Sequence, residues 1–203
     1  MYALDEHRVL RRYRRRDVPE DEVNVIRHVH AHGYPTPAVL EASGPDLILE
    51  RLYGPTMQEV LESSPGEFDR QIRVLAALHD RLHTIEAPPG LAAIGAGTTL
   101  LHLDLHPRNV ILGSHGPSVI DWANARSGHW ADDVAQTIVV IWGALADPAF
   151  VGREAIVHHF VETFVASFDR SVVRSHLRAA IARRVADGNV TDAEREVTRR
   201  AAV

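Results

Sequence analysis

Residues 102–109 read His-Leu-Asp-Leu-His-Pro-Arg-Asn, placing two imidazoles, a carboxylate, a guanidinium and a carboxamide within one short stretch. Two chemistries use such a set. On a strand, His102, Asp104 and His106 would face one way, because side chains alternate with period two. Two imidazoles and a carboxylate could then hold zinc or iron for a His/Asp metal-dependent hydrolase. The thirteen histidines of the chain make such clustering cheap by chance, and no second ligand group stands at a recognisable spacing.

The other chemistry is phosphoryl transfer. It requires a carboxylate to orient the attacking hydroxyl and accept its proton, together with oxygen ligands for a divalent ion. Pro107 ends any strand, so His106 to Asn109 read as loop. Asp104 is followed five residues later by Asn109, then by a hairpin signature, then by Asp121 in Val119-Ile120-Asp121-Trp122. An Asp/Asn pair suits magnesium, which binds few protein oxygens and keeps waters.

Composition narrows the field. The 203 residues form one large domain or two small lobes with ample apolar content for a core. A net charge of -5 argues against a general nucleic-acid binder. All 22 basic side chains are arginine, so a phosphate site that needs a cation must use one. The absence of cysteine excludes disulfides, thiolate zinc sites and cysteine nucleophiles. The first residues lack the apolar core of a signal peptide. The longest apolar run, around Ile138 to Leu145, falls short of the roughly 20 residues of a membrane span. No membrane partner is expected, and a cytoplasmic location follows by default.

The elements that must position these groups fall into two regions. Arg8 to Tyr13 forms a strand candidate. Asp17-Val18-Pro19-Glu20 carries a capping aspartate, an early proline and a capping-box glutamate, predicting a helix from there to about His32. Gly33 and the prolines at 35 and 37 stop it. Val39–Ala42 and Asp46–Glu50 read as strands around a Ser43-Gly44-Pro45 turn. A second capping box at Ser64-Pro65-Gly66-Glu67 predicts a helix to about Ile85, with Phe68, Ile72, Leu75, His79 and Leu82 as its apolar face. Val119-Ile120 is a brief strand after a turn spanning Gly113 to Pro117. From about Asp132 the chain is helical, with Asp133 a helix cap and Thr191 capping the last helix.

The segments LLHLDLHPRNVILG, PSVIDWANA and DDVA resemble the aminoglycoside phosphotransferase and choline kinase family, relatives of the protein kinases. VLRRY, GYPTP, DLILERLYGPTM and LAALHDRLH resemble the same family, so the likeness covers most of the chain. It implies an α+β, protein-kinase-like two-lobed fold. Residues 1–52 would be an abbreviated nucleotide-binding lobe and 53–203 a helical lobe, with a hinge near Leu52 to Gly54. The implied activity moves the γ-phosphoryl of ATP or GTP, with Mg2+, to a hydroxyl of an aminoglycoside-, choline- or sugar-like molecule.

Carried over by position, the resemblance makes Asp104 the catalytic aspartate and Asn109 and Asp121 the magnesium ligands. Arg11 would hold nucleotide phosphates, with Arg12 close behind, and Glu22 would position it. The backbone from Leu49 through Glu50 to Leu52 would meet the adenine edge. His102 would fix the loop, and His106 would be either a basic group near the phosphoryl or a solvent-facing ring. Glu154, Glu162 and Asp169 could attract a cationic acceptor.

The family pattern opens with a strand, a small-residue loop and a strand over the phosphates, whereas this chain starts at about the second strand, which implies a truncated N-terminal lobe. Three accounts stay open: a start codon placed too far downstream, a reduced but active kinase, or a catalytically silent nucleotide-binding module.

Overall fold

The computed structural model describes residues 1–150 and 152–200. The N-terminal region is a four-stranded antiparallel sheet in the order β1 (Tyr2–Ala3), β2 (Arg8–Arg12), β4 (Asp46–Glu50), β3 (Val39–Ser43). In β2 and β4 Val9 faces Leu49 and Arg11 faces Leu47 across the ladder. Helix α1 (Glu20–Ala31) interrupts the sheet sequence and buries Val23, Val25, Ile26 and Val29.

That helix begins later than the sequence suggests. Its N-cap is Pro19, in extended conformation, and no side chain caps it. Asp17 is therefore outside the helix, because the chain must stay extended through the residue before a proline. Ser64 likewise caps nothing: Pro65–Glu67 form a 3-10 turn, and the next helix starts behind it without a side-chain cap. A capping box does exist one helix earlier, at Thr56 and Glu59, heading α2 (Met57–Ser63). Thr191 meets expectation, accepting the Glu194 N–H at 3.2 Å ahead of the last helix.

The passage between the regions is pinned to the larger region at Leu112. Gly54 has φ +142°, and a Cβ there would lie 2.2 Å from the Leu112 carbonyl oxygen. The Leu112 N–H donates to the Pro55 carbonyl at 2.8 Å. Any side chain at 54 would therefore push the connecting segment off the hairpin beneath it.

The larger region is mostly helical. Helix α3 (Phe68–Leu82) buries Ile72, Leu75, Ala76, Leu78, His79 and Leu82 at helical spacing. A short ladder pairs β5 (Thr99–Leu101) with β8 (Arg126–Gly128), and a hairpin joins β6 (Val110–Gly113) to β7 (Gly116–Val119). The β5–β8 pair was not foreseen, since each strand is three residues long. Helix α4 (Trp130–Gly143) is buried along most of its length, with α5 (Glu154–Val165), α6 (Arg170–Ala186) and α7 (Asp192–Arg200) around it. His129, not Asp133, caps α4, accepting the Ala131 N–H through Nδ1 at 3.2 Å.

One core runs through both regions. Tyr34 is its bridge: buried, edge-on to Trp122 at 5.7 Å, and donating to the Leu78 carbonyl at 3.1 Å. The Trp122 indole donates to Thr36 Oγ1, which in turn donates to the Val119 carbonyl, both at 3.0 Å. The segment after α1 is thereby fixed against the β6–β7 hairpin.

Candidate active site

The hairpin explains why a twelve-residue separation brings two ligand-type side chains together. Val110 stands opposite Val119, and the ladder continues one step, with the Ile120 N–H donating to the Asn109 carbonyl at 3.0 Å. Asn109 enters the hairpin where Asp121 leaves it. Asp121 is two residues beyond β7, with φ +67°, and its side chain is 43% exposed. The backbone turn there directs it into the cleft instead of continuing the strand.

Asp104 lies on the preceding loop. The Asn109 side-chain amide closes that loop by donating to the Asp104 carbonyl at 2.9 Å and to its Oδ2 at 3.3 Å. Asn109 Oδ1 is left as an acceptor. Burial pushes the Asp104 carboxyl up to about 6; the Arg184 charge opposes this, and the Asp121 charge adds to it. Asp104 is 22% exposed, so it remains reachable from the cleft.

His102 ends the metal interpretation of this loop. Its ring is buried, Nε2 donates to the Ile120 carbonyl at 3.1 Å, and Nδ1 accepts the Asp104 N–H at 3.2 Å. Both nitrogens are used in tying the two loops together, and burial lowers its pKa. β5 has already ended, and Leu103 has φ +60°, so the alternating face needed by His102, Asp104 and His106 does not form.

His106 matches neither of its expected roles. Its side chain is only 17% exposed, and burial brings its pKa down to about 4. It is a neutral ring at pH 7. Nδ1 accepts the Arg108 N–H at 3.2 Å and Nε2 lies 3.6 Å from Asp104 Oδ1.

Across the cleft, Arg11 Nη1 meets Glu22 Oε1 at 2.8 Å and Asp121 Oδ1 at 3.0 Å. Glu22 is buried, so its charge requires this partner. Tyr13 donates to the other Glu22 oxygen, Oε2, and its ring lies 5.1 Å from the Arg11 guanidinium carbon. Burial would lower the Arg11 pKa, but the charges of Asp121 and Glu22 raise it further. Arg12 turns away and pairs with Asp46 at 2.5 Å.

Glu50 and Leu52 stand apart from this cluster. Glu50 is in register with Arg8, three residues along β2 from Arg11, or about 10 Å at the rise of a strand. Its exposed carboxylate accepts the Ala38 N–H at 3.2 Å. Leu52 is half-buried just beyond β4.

Asp133 carries more than a capping role. It is fully buried and accepts the Leu103 N–H at 2.6 Å, the His102 N–H at 3.2 Å and His83 Nε2 at 3.1 Å. His79 Nδ1 stands 3.5 Å away, itself buried without a hydrogen-bond partner. Burial alone would raise the Asp133 pKa, yet the two imidazoles beside it hold it well below the usual carboxylate value. This carboxylate clamps the strained backbone just before Asp104. Sequence gives no hint of it beyond an acidic pair in a helix's first turn. Tyr13 was missed in the same way, although its two-residue offset from Arg11 puts both side chains on one face of the chain.

The acidic side chains expected to draw a cationic acceptor lie elsewhere. Glu162 pairs with Arg170 at 2.8 Å, both exposed. Asp169 caps α6 through the Ser171 and Val172 N–H groups, and Glu154 is exposed in the first turn of α5.

A small antiparallel sheet with one helix, a mainly helical region, and paired Asp/Asn and Asp loops under an Arg–Glu ion pair define a kinase-like fold. The sequence model of the phosphotransferase enzyme family, APH, matches residues 59–174, and the chain belongs to that family. Among solved structures, aminoglycoside phosphotransferase APH(4)-Ia superposes with a TM-score of 0.60 at 15% identity, covering 91% of this chain and 80% of that one. A thermostable mutant of it in the apo form gives 0.60 at 16%, with coverages of 90% and 83%. The ternary complex of such a mutant with ADP and hygromycin B gives 0.62 at 16%, with coverages of 89% and 79%. At these identities the likeness is one of fold. No curated protein sequence matches significantly. Among the described residues no helix is long and apolar enough to cross a membrane.

Proposed function

We propose that this protein moves the γ-phosphoryl group of ATP or GTP to a hydroxyl of a small molecule. The observation that supports this reading is the chain of contacts from Asp104 through Asn109 and Ile120 to the turn at Asp121, whose carboxylate meets Arg11 held by Glu22. Asp104 orients the acceptor hydroxyl and takes its proton; a pKa near 6 keeps it ionised at neutral pH while leaving it basic enough to accept. Arg11 binds the nucleotide phosphates, oriented by Glu22 and Tyr13. Residues 1–52 form the nucleotide lobe, with the backbone from Glu50 to Leu52 about 10 Å along the sheet as the adenine contact. Residues 53–203 carry the acceptor side.

Asn109 Oδ1 and the Asp121 carboxylate are hard oxygen donors, which fit Mg2+. Asp121 is half exposed with only Oδ1 engaged by Arg11, so an oxygen remains for the ion. Bound there, Mg2+ would neutralise charge on the nucleotide phosphates. The complexes of the structural neighbours with ADP and hygromycin B support a nucleotide donor and a hydroxylated acceptor.

The test is titration with Mg·ATP, together with ADP release, on wild type, Asp104→Asn and Asp121→Asn. Asp104→Asn should retain nucleotide binding and lose transfer by about 10²-fold or more. Asp121→Asn should weaken the magnesium dependence of binding. Two variants that bind Mg·ATP as wild type does would refute the site, and binding without any transfer by the wild type would mark a silent module.

A further inference from the structure

Two adjoining cavities open beside the catalytic loop, of about 800 and 520 Å³. They share Gln58, Pro107, Ile141, Ala144 and Phe150 as walls, so they form one cleft with two chambers. The smaller reaches His106, whose Nε2 is 3.6 Å from Asp104 Oδ1. The larger, between α2, α3 and α5, is walled by Leu61, Phe68, Ile141, Phe150, Ile156 and Phe160.

Charge in the cleft is nearly balanced. Glu62, Asp69, Asp147 and Glu194 are its four carboxylates, set against three guanidiniums, Arg108, Arg153 and Arg184. Glu194 is neutralised by Arg184 at 2.6 Å, and Asp69 meets His159 at 2.7 Å. The Asp147 carboxylate receives the Ala149 N–H at 2.9 Å, and Glu62 receives Gln58 at 2.7 Å. Four carboxylates against three guanidiniums leave one negative charge in excess, too few to match a polycation, which would press against the aliphatic and phenyl walls of the larger chamber. Desolvating several ammonium groups there has little return.

We infer that the acceptor is a hydroxylated molecule with an uncharged apolar body: the body fills the chamber between α2, α3 and α5, and the hydroxyl is presented past His106 to Asp104. A cavity of this size takes a drug-sized molecule. The inference rests on the kinase reading only for what happens to that hydroxyl; recognition by the cleft stands by itself.

The probe is a series of alkyl β-D-glucosides, methyl to heptyl, kept below micelle-forming concentrations and titrated calorimetrically into the full chain. Affinity should rise about fourfold per added methylene at one site per chain, the fold-change that corresponds to burying each group. Ile156 is 47% exposed at the lip of the apolar chamber, so Ile156→Asp is tolerated by the fold. It should weaken heptyl glucoside about tenfold or more and flatten the series. An affinity independent of chain length overturns the inference. So does tighter binding of hygromycin B than of heptyl glucoside, or an Ile156→Asp variant that binds heptyl glucoside like wild type. A length-dependent series with no phosphate transferred to any glucoside would leave the cleft as described and count against the kinase reading instead.

Discussion

Replacing Asp133 by asparagine tests the buried anchor behind the Asp104 loop. The carboxylate receives two backbone N–H groups and one imidazole N–H, with a second imidazole 3.5 Å away. Asparagine keeps the shape but has one acceptor oxygen, and its amide would face a donor. One buried N–H, that of His102 or Leu103, then goes unpaired at about 1–3 kcal/mol, and the remaining bonds lose their charge assistance. The sum is about 4 kcal/mol, from one unpaired buried donor and the weakening of the charge-assisted bonds that remain. For a chain of this length that lowers Tm by about 8–16 °C.

The pH dependence sharpens the test. Asp133 has a depressed pKa in the folded state, so its contribution is present above the unfolded value near 4 and is lost as pH falls below it. Calorimetry or circular dichroism at pH 7 should show the full gap between wild type and Asp133→Asn, and the gap should narrow below about pH 4. His83 and His102 have pKa values lowered mainly by burial and raised in part by the Asp133 charge. Without that charge both fall further, so the variant loses more stability below about pH 6.5 and the gap widens there before it narrows. A variant melting within 2–3 °C of wild type at pH 7, on the same scale of estimate, would refute the anchor.

Two further outcomes follow from the cleft. Asp104 has a raised pKa, so the folded state binds its proton more tightly than the unfolded chain does, and folding is penalised as pH climbs from about 4 through 6. At about 1.4 kcal/mol per pH unit the shift from 3.8 to about 6 amounts to about 3 kcal/mol at neutrality. Without nucleotide and with EDTA present, Asp104→Asn should therefore be more stable than wild type at pH 7.5, by an increment that vanishes near pH 4; an equal or lower Tm at pH 7.5 contradicts the burial of this carboxylate. Tyr13→Phe removes one hydrogen bond to Glu22, about 1 kcal/mol, and should raise KM for ATP about fivefold with little change in kcat, whereas an unchanged KM would show that Arg11 needs no such support.

Much of the proposed site was legible because its signals are local. Asp104 and Asn109 sit in one loop, and a hairpin signature between Asn109 and Asp121 is enough to bring them together once the register is right. The Arg11–Glu22 pair followed from resemblance, not spacing, since a strand and a helix separated by a turn can meet in several ways. What escaped was determined by tertiary contact. Asp133 acts on residues thirty positions away, and its neighbours in sequence reveal only a helix start. The caps at Asp17 and Ser64 were misread because each precedes a proline by one or two residues, and the chain there stays extended or tightens into a 3-10 turn. Thr56 and Glu59 carried a readable capping pattern just after the expected hinge, in a stretch read for no helix.

The use of arginine at position 11 has a geometric consequence. A lysine ammonium offers three N–H bonds, and two would be spent on Glu22 and Asp121. A guanidinium has five. Both contacts to carboxylates run through Nη1, at 2.8 and 3.0 Å, which leaves the Nη2 and Nε hydrogens unengaged by either acid. The Tyr13 ring beneath the guanidinium fixes the plane of the fork, and the same tyrosine holds the far oxygen of Glu22. The fork is thus held in one orientation, and in the proposed role of Arg11 this reduces the ordering cost that a flexible ammonium would incur on binding phosphate. In a chain without lysine, the buried Glu22 and the tyrosine two residues on hold a planar cation against Asp121.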